Sequence, residues 1–200
     1  MANLVTIIRF PLLLIYILLM YFGGSKGILI CTPLVLVIFL LDTVDGYIAR
    51  IRGESSLLGS ALDIATDRTV ELVLWIMFAD LKLIPVLLPL IAVVRGVVVD
   101  AIRTVGVSQG IAAFDQVKHP VSRFVVSSRF MRDFYGVAKG TAFVLLTLSL
   151  WMKVTQYNLY WIYYAVALIF AWVTIALNVI RGFPVLVQGY HLLNQPQAKK

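Results

Sequence analysis

Residues 41–71 read LDTVDGYIARIRGESSLLGSALDIATDRTVE, and this stretch decides how the rest of the chain is understood. It sets Asp42, Asp45, Asp63 and Asp67 beside apolar runs such as ILICTPLVLVIFL at 28–40. A carboxylate held in hydrocarbon is costly, so four of them in such surroundings call for a chemical reason. Asp42 and Asp45 are three residues apart and Asp63 and Asp67 four, so on helices each pair projects from one face. Gly59, Asp63 and Asp67 form one stripe, which Glu71 continues a turn deeper. The midpoint between the pairs falls at Gly53–Glu54, within the breaker-rich RGESS of 52–56. If that is the turn of a helical hairpin, the two pairs face each other at matching depth, at most about 15 Å from the turn at ~1.5 Å per residue.

Four carboxylates in one small cavity repel one another unless protons or cations neutralise them. Oxygen ligands without His or Cys favour a hard ion such as Mg²⁺, Mn²⁺ or Ca²⁺. Four of them suit two ions close together, as in enzymes that clamp a transferring phosphoryl group. Gly46, Ala49 and Gly59 leave room for a ligand against the backbone, and Arg50 offers a bidentate contact to phosphate. Two other readings stand beside this one. The acids could each be paired with Arg or Lys in a purely structural role, or they could line the path of a divalent-metal or proton transporter. Few basic residues share these faces, and beyond span three only Asp100 adds an acid within an apolar span, so neither alternative explains the pattern as well.

Composition supplies the setting. Of the 200 residues 61% are hydrophobic and 14% charged, and the mean hydropathy is +0.95. Such a balance belongs to an integral membrane protein. Hydrophobic runs predict an all-α fold of six transmembrane helices near 5–22, 27–51, 56–80, 83–106, 134–153 and 158–181, treated as one catalytic domain over 1–200. The net charge of +7 is distributed unevenly. The turns after spans one, three and five carry only Lys26, Lys82 and Lys153 as basic residues, and the other basic residues border the opposite side. The positive-inside rule then puts both termini, the 50s turn and the long 107–133 loop in the cytoplasm. The basic excess is thus mostly topology, with anionic lipid and anionic substrate as further uses and nucleic acid a poor third. The single cysteine, Cys31, excludes an intramolecular disulfide.

The pattern Asp42-x2-Asp45-Gly46-x2-Ala49-Arg50-x8-Gly59-x3-Asp63-x3-Asp67 resembles the signature of the CDP-alcohol phosphatidyltransferases at each of its eight fixed positions. The resemblance implies a six-helix membrane homodimer with a polar cavity open to the cytoplasm. It implies transfer of a phosphatidyl group from a CDP-linked lipid to an alcohol, with release of CMP. On this resemblance Asp42, Asp45, Asp63 and Asp67 are expected to hold Mg²⁺ or Mn²⁺, and Asp67 is also the general base for the acceptor hydroxyl. Asp45, Gly46, Ala49, Arg50 and Gly59 are expected around the CDP group. The N-terminal NLVTIIR of 3–9 resembles the family's opening segment and would bring Asn3, Thr6 and Arg9 near the site.

Choice of acceptor falls to the remaining spans. VRGVVVDAIR at 94–103 holds Arg95 and Arg103 eight apart, and YGVAKGT at 135–141 holds Lys139. Both segments resemble the phosphatidylglycerophosphate synthase branch, which implies sn-glycerol 3-phosphate as acceptor and CDP-diacylglycerol as donor in the cytoplasmic (inner) membrane. Gly96, Ile64 and Arg68 depart from that branch's usual residues. Inositol phosphate is the nearest rival acceptor, since it asks for the same cationic pocket. The opposing reading pairs Arg95 with Asp100 or Glu71 and leaves Arg103 as an interfacial anchor. Thr174 and Asn178, four apart, are expected to hydrogen-bond between helices, with a dimer contact as one option.

Overall fold

The computed structural model describes residues 2–52, 57–108, 124 and 128–193. Among these residues the chain forms six helices and no strand: α1 (Ala2–Phe22), α2 (Gly24–Arg52), α3 (Leu57–Asp80), α4 (Leu87–Ser108), α5 (Arg129–Val154) and α6 (Tyr160–Leu193). They fall on the six expected spans, with three differences. α4 begins at Leu87, a turn later than expected, because the chain needs residues 81–86 to reverse after α3. α5 begins earlier, at Arg129, where Ser128 caps it by accepting a 3.2 Å hydrogen bond from the Met131 amide. α6 runs on to Leu193, past the expected end near 181.

Each reversal has a local cause. Between α1 and α2, Gly24 takes a left-handed φ of +58°. A Cβ on the preceding Gly23 would fall 2.6 Å from the Leu19 carbonyl oxygen and 2.8 Å from Gly27 Cα, so only glycine permits this close a turn. α3 ends in a Schellman motif: Leu83 N donates to Phe78 O at 3.0 Å and Lys82 N to Ala79 O at 3.0 Å, with Lys82 left-handed at φ 58°. α5 ends the same way around Gln156, φ 53°, with Tyr157 N donating to Met152 O at 2.9 Å.

The core gathers on Phe143 of α5. Its ring centroid lies 4.8 Å from Trp75 and 5.6 Å from Phe78 of α3, and 5.8 Å from Phe39 of α2. Polar pairs tie α1 to the same group. The Tyr16 and Thr147 hydroxyls meet at 2.6 Å in the interior, while Tyr21 donates to Asp80 at 2.6 Å near the α3–α4 turn. Large apolar side chains meanwhile point outward, among them Trp161 at 73% exposure and Val97 at 62%. Outward-facing residues of this kind suit a lipid environment better than water.

Among the described residues, three helices contain segments long and apolar enough to cross a membrane: Gly24–Leu41, Phe130–Val154 and Tyr160–Val187, with Thr6–Phe22 a shorter apolar stretch. α3 and α4 fall below that standard because their charges, Asp63, Asp67, Arg68 and Glu71 on one and Arg95, Asp100 and Arg103 on the other, interrupt the apolar run.

Candidate active site

Asp63 and Asp67 lie one turn apart on α3, and Glu71 follows in the next turn. Burial deepens along this stripe. The Asp67 side chain is 38% exposed, whereas that of Glu71 is 2% exposed. Val70, Leu74 and Phe78 lie along the same face of α3 and, with Trp75 beside them, are fully buried, so the stripe runs from its partly exposed acids into the core.

Lys139 of α5 reaches across to this stripe. Its Nζ lies 3.2 Å from Glu71 Oε2 and 3.5 Å from Asp67 Oδ1, and stands 5.5 Å from the ring centroids of both Phe39 and Tyr135. The other oxygen of Glu71 is held from two sides. Tyr135 Oη donates to Oε1 at 2.5 Å, and Asn178 Nδ2 of α6 donates to Oε1 at 3.3 Å and to the Tyr135 hydroxyl at 2.8 Å. Glu71 is therefore a buried carboxylate surrounded by donors, which is how such a charge is tolerated in an apolar bundle.

Sequence reading anticipated the stripe but not its partners. Asn178 does bond between helices, but to Glu71 and Tyr135 of its own chain, while Thr174 donates to the Phe170 carbonyl one turn back in α6. Lys139, expected to face an acceptor, is buried and turned onto two acids. Arg68, noted only as a departure from a motif, pairs with Asp100 of α4, Nε to Oδ2 at 3.0 Å, and approaches Glu71 Oε2 at 3.8 Å. Asp100 thus pairs with Arg68, and Glu71 chiefly with Lys139, Tyr135 and Asn178, where the sequence had offered both acids to Arg95. Arg95 instead lies along α6, where a Cβ on Gly182 would fall 2.6 Å from its Nε and 3.0 Å from its Cγ. Next to Gly182, the Arg181 guanidinium stands 5.1 Å from the Tyr135 ring centroid. A lone Asn or Tyr in an apolar span was the only available signal for these contributions from α5 and α6.

From α1, Arg9 is fully buried and acts electrostatically on Asp67, and Thr6 is buried nearby in sequence. For Asp42, Asp45, Gly46, Ala49 and Arg50 the backbone of α2 is described, but their side chains lie outside the described residues, as do those of Asn3 and Arg103. Gly59 lies two turns before Asp67 on α3. Among the described residues no three His, Cys, Asp or Glu side chains form a metal-sized cluster. The described donors are of the right kind, since two carboxylates a turn apart, one of them open to solvent, offer the oxygen ligands that a hard divalent cation takes.

These features define an all-helical membrane protein whose acidic stripe and buried cations suit a transfer reaction on an anionic substrate. The profile of the family described as CDP-alcohol phosphatidyltransferase matches residues 1–180, and the chain belongs to that family. No individual curated protein matches it. Membership makes the chain a phosphotransferase that moves a phosphatidyl group from a CDP-alcohol to an alcohol acceptor, and the transporter reading falls away. The family is generally dependent on divalent metal.

Proposed function

We propose that the chain transfers the phosphatidyl group of CDP-diacylglycerol to sn-glycerol 3-phosphate, giving phosphatidylglycerophosphate and CMP. The observation that carries this choice is the line of cations beside the acidic stripe. Arg95 lies against Gly182, Arg181 covers the Tyr135 ring, and Lys139 reaches Asp67. A phosphorylated acceptor is the alcohol best matched to such a set of cations, with Arg103 near the end of α4 as a further one. Lys139 takes part through the N–H left over after its two carboxylate contacts, since an ammonium has three donors. Inositol phosphate fits the same cations and is the second reading, favoured by Gly96, Ile64 and Arg68, where the glycerophosphate branch usually has other residues.

In this reaction the acceptor hydroxyl oxygen bonds to the phosphatidyl phosphorus as the bond from that phosphorus to the oxygen of CMP breaks. Asp67 takes the hydroxyl proton, and its partly exposed carboxylate suits that work. Arg50 meets the diphosphate, and Gly46, Ala49 and Gly59 leave space for the nucleotide, with Asp45 beside it. Asp42, Asp45, Asp63 and Asp67 would hold a pair of Mg²⁺ or Mn²⁺ ions, which draw charge from the diphosphate and make CMP a better leaving group. Asn3, Thr6 and Arg9 close the site from α1. No residue serves as a covalent nucleophile.

We assign the whole of 1–200 to one domain with all six helices spanning the cytoplasmic membrane. The concentration of basic residues supports both termini and the site facing the cytoplasm. The working unit is a homodimer. CMP release by the purified protein with CDP-diacylglycerol, Mg²⁺ or Mn²⁺, and a panel of glycerol 3-phosphate, inositol 1-phosphate, inositol, serine and choline tests this reading. Release with glycerol 3-phosphate alone supports it, and release with another alcohol replaces the acceptor.

A further inference from the structure

We infer that Glu71 is a positioning residue whose buried carboxylate keeps Lys139 from closing on Asp67, so that Asp67 stays available to a divalent cation and to the acceptor proton. The inference rests on the role proposed for Asp67 and extends it to a carboxylate that role does not include.

The geometry is that of one cation shared unequally between two acids. Lys139 Nζ is closer to Glu71 Oε2, at 3.2 Å, than to Asp67 Oδ1, at 3.5 Å. Glu71 cannot turn away, because Tyr135 and Asn178 both donate to its Oε1 and leave Oε2 aimed at the ammonium. The pull is strong for a reason of place: Glu71 is 2% exposed, so water screens its charge far less than that of Asp67 at 38%. Asp67 Oδ2 accepts no hydrogen bond among the described residues. If Glu71 were neutral, the only anion left to the buried Lys139 in this pair would be Asp67. A full ion pair there would occupy the lone pairs that a metal ion or a proton needs, and would set a positive charge where a cation must bind. Arg68 does not substitute for Lys139 in this balance, since its tighter partner is Asp100 at 3.0 Å.

The test measures Mn²⁺ binding directly, by the electron paramagnetic resonance signal of free Mn²⁺, on detergent-purified protein without substrate. Glu71→Gln keeps the side-chain shape and the acceptor for Tyr135 while removing the charge. Its Mn²⁺ affinity should fall by about three-fold or more, with a matching rise in the Mn²⁺ concentration needed for half-maximal CMP release and little change in the KM for CDP-diacylglycerol. In a Lys139→Met background, where the lysine can no longer close on Asp67, adding Glu71→Gln should leave Mn²⁺ binding unchanged. Equal losses in both backgrounds, or none in either, would overturn the inference. Asp67→Asn separates the two levels: if it binds Mn²⁺ as the parent does, the role of Asp67 fails and this inference with it. If it loses binding while Glu71→Gln does not, only the inference fails.

Discussion

Arg68 on α3 and Asp100 on α4 form a two-pronged ion pair, Nε to Oδ2 at 3.0 Å and Nη2 to Oδ1 at 3.3 Å, and it links the acidic helix to the helix that carries Arg95. One hydrogen bond, from Nη2 to Oδ1, and a second close charge contact, from Nε to Oδ2, give this pair more direction than a lone lysine would. It also pairs an acid that the sequence offered as a partner for Arg95, whose side chain lies beside Gly182 of α6.

The pair is partly exposed, with side chains at 23% and 37%, so its stabilisation should be modest. A double-mutant cycle with Arg68→Ala and Asp100→Asn, read by thermal unfolding in detergent, should give a coupling of about 1 kcal/mol. Additive effects would show that the two residues act independently.

Asp67→Asn should lower CMP release by on the order of a hundred-fold or more while CDP-diacylglycerol still binds, because the amide cannot take the acceptor proton. Turnover measured alongside donor binding checks this. Full activity would remove Asp67 from the role of base.

Gly182→Ala places a methyl group 2.6 Å from Arg95 Nε and must displace that side chain. Its KM for glycerol 3-phosphate should rise by roughly three- to ten-fold, the scale of one weakened charged hydrogen bond, with the KM for CDP-diacylglycerol unchanged. Arg95→Ala should show the same pattern more strongly. An unchanged acceptor KM in both variants would take Arg95 out of the pocket.

Gly23 and Gly24 should respond differently to substitution. At Gly23 a Cβ strikes backbone at 2.6 Å, whereas at Gly24 the space is open and only the φ of +58° is at issue. Gly23→Ala should therefore unfold at clearly lower temperature, with a loss of about 2 kcal/mol or more. Gly24→Asn, a residue that tolerates left-handed backbone, should cost about 1 kcal/mol or less. Thermal unfolding of the two variants compares them directly.

Chelation should abolish CMP release and added Mg²⁺ or Mn²⁺ should restore it, as expected where carboxylates hold the catalytic cations. Activity that persists in excess chelator would overturn the metal role of the four aspartates.

What the sequence determined by itself was local. Hydrophobic runs marked out six segments, and the spacing of Gly59, Asp63 and Asp67 placed them on one face of α3, because a helix converts spacing into direction without help from its neighbours. Charge distribution gave an expected sidedness in the same way. The eight fixed positions of 42–67 pointed to the family whose profile covers 1–180. Only tertiary structure decided the partners. Glu71 meets Tyr135 from 64 positions away and Asn178 from 107, and nothing in the intervening chain encodes those distances. Lys139 could equally have faced substrate or an acid, and Arg95 could have taken Asp100. Those outcomes were settled by which helices pack together, since a buried charge in an apolar bundle takes whichever opposite charge the neighbouring helix brings within reach.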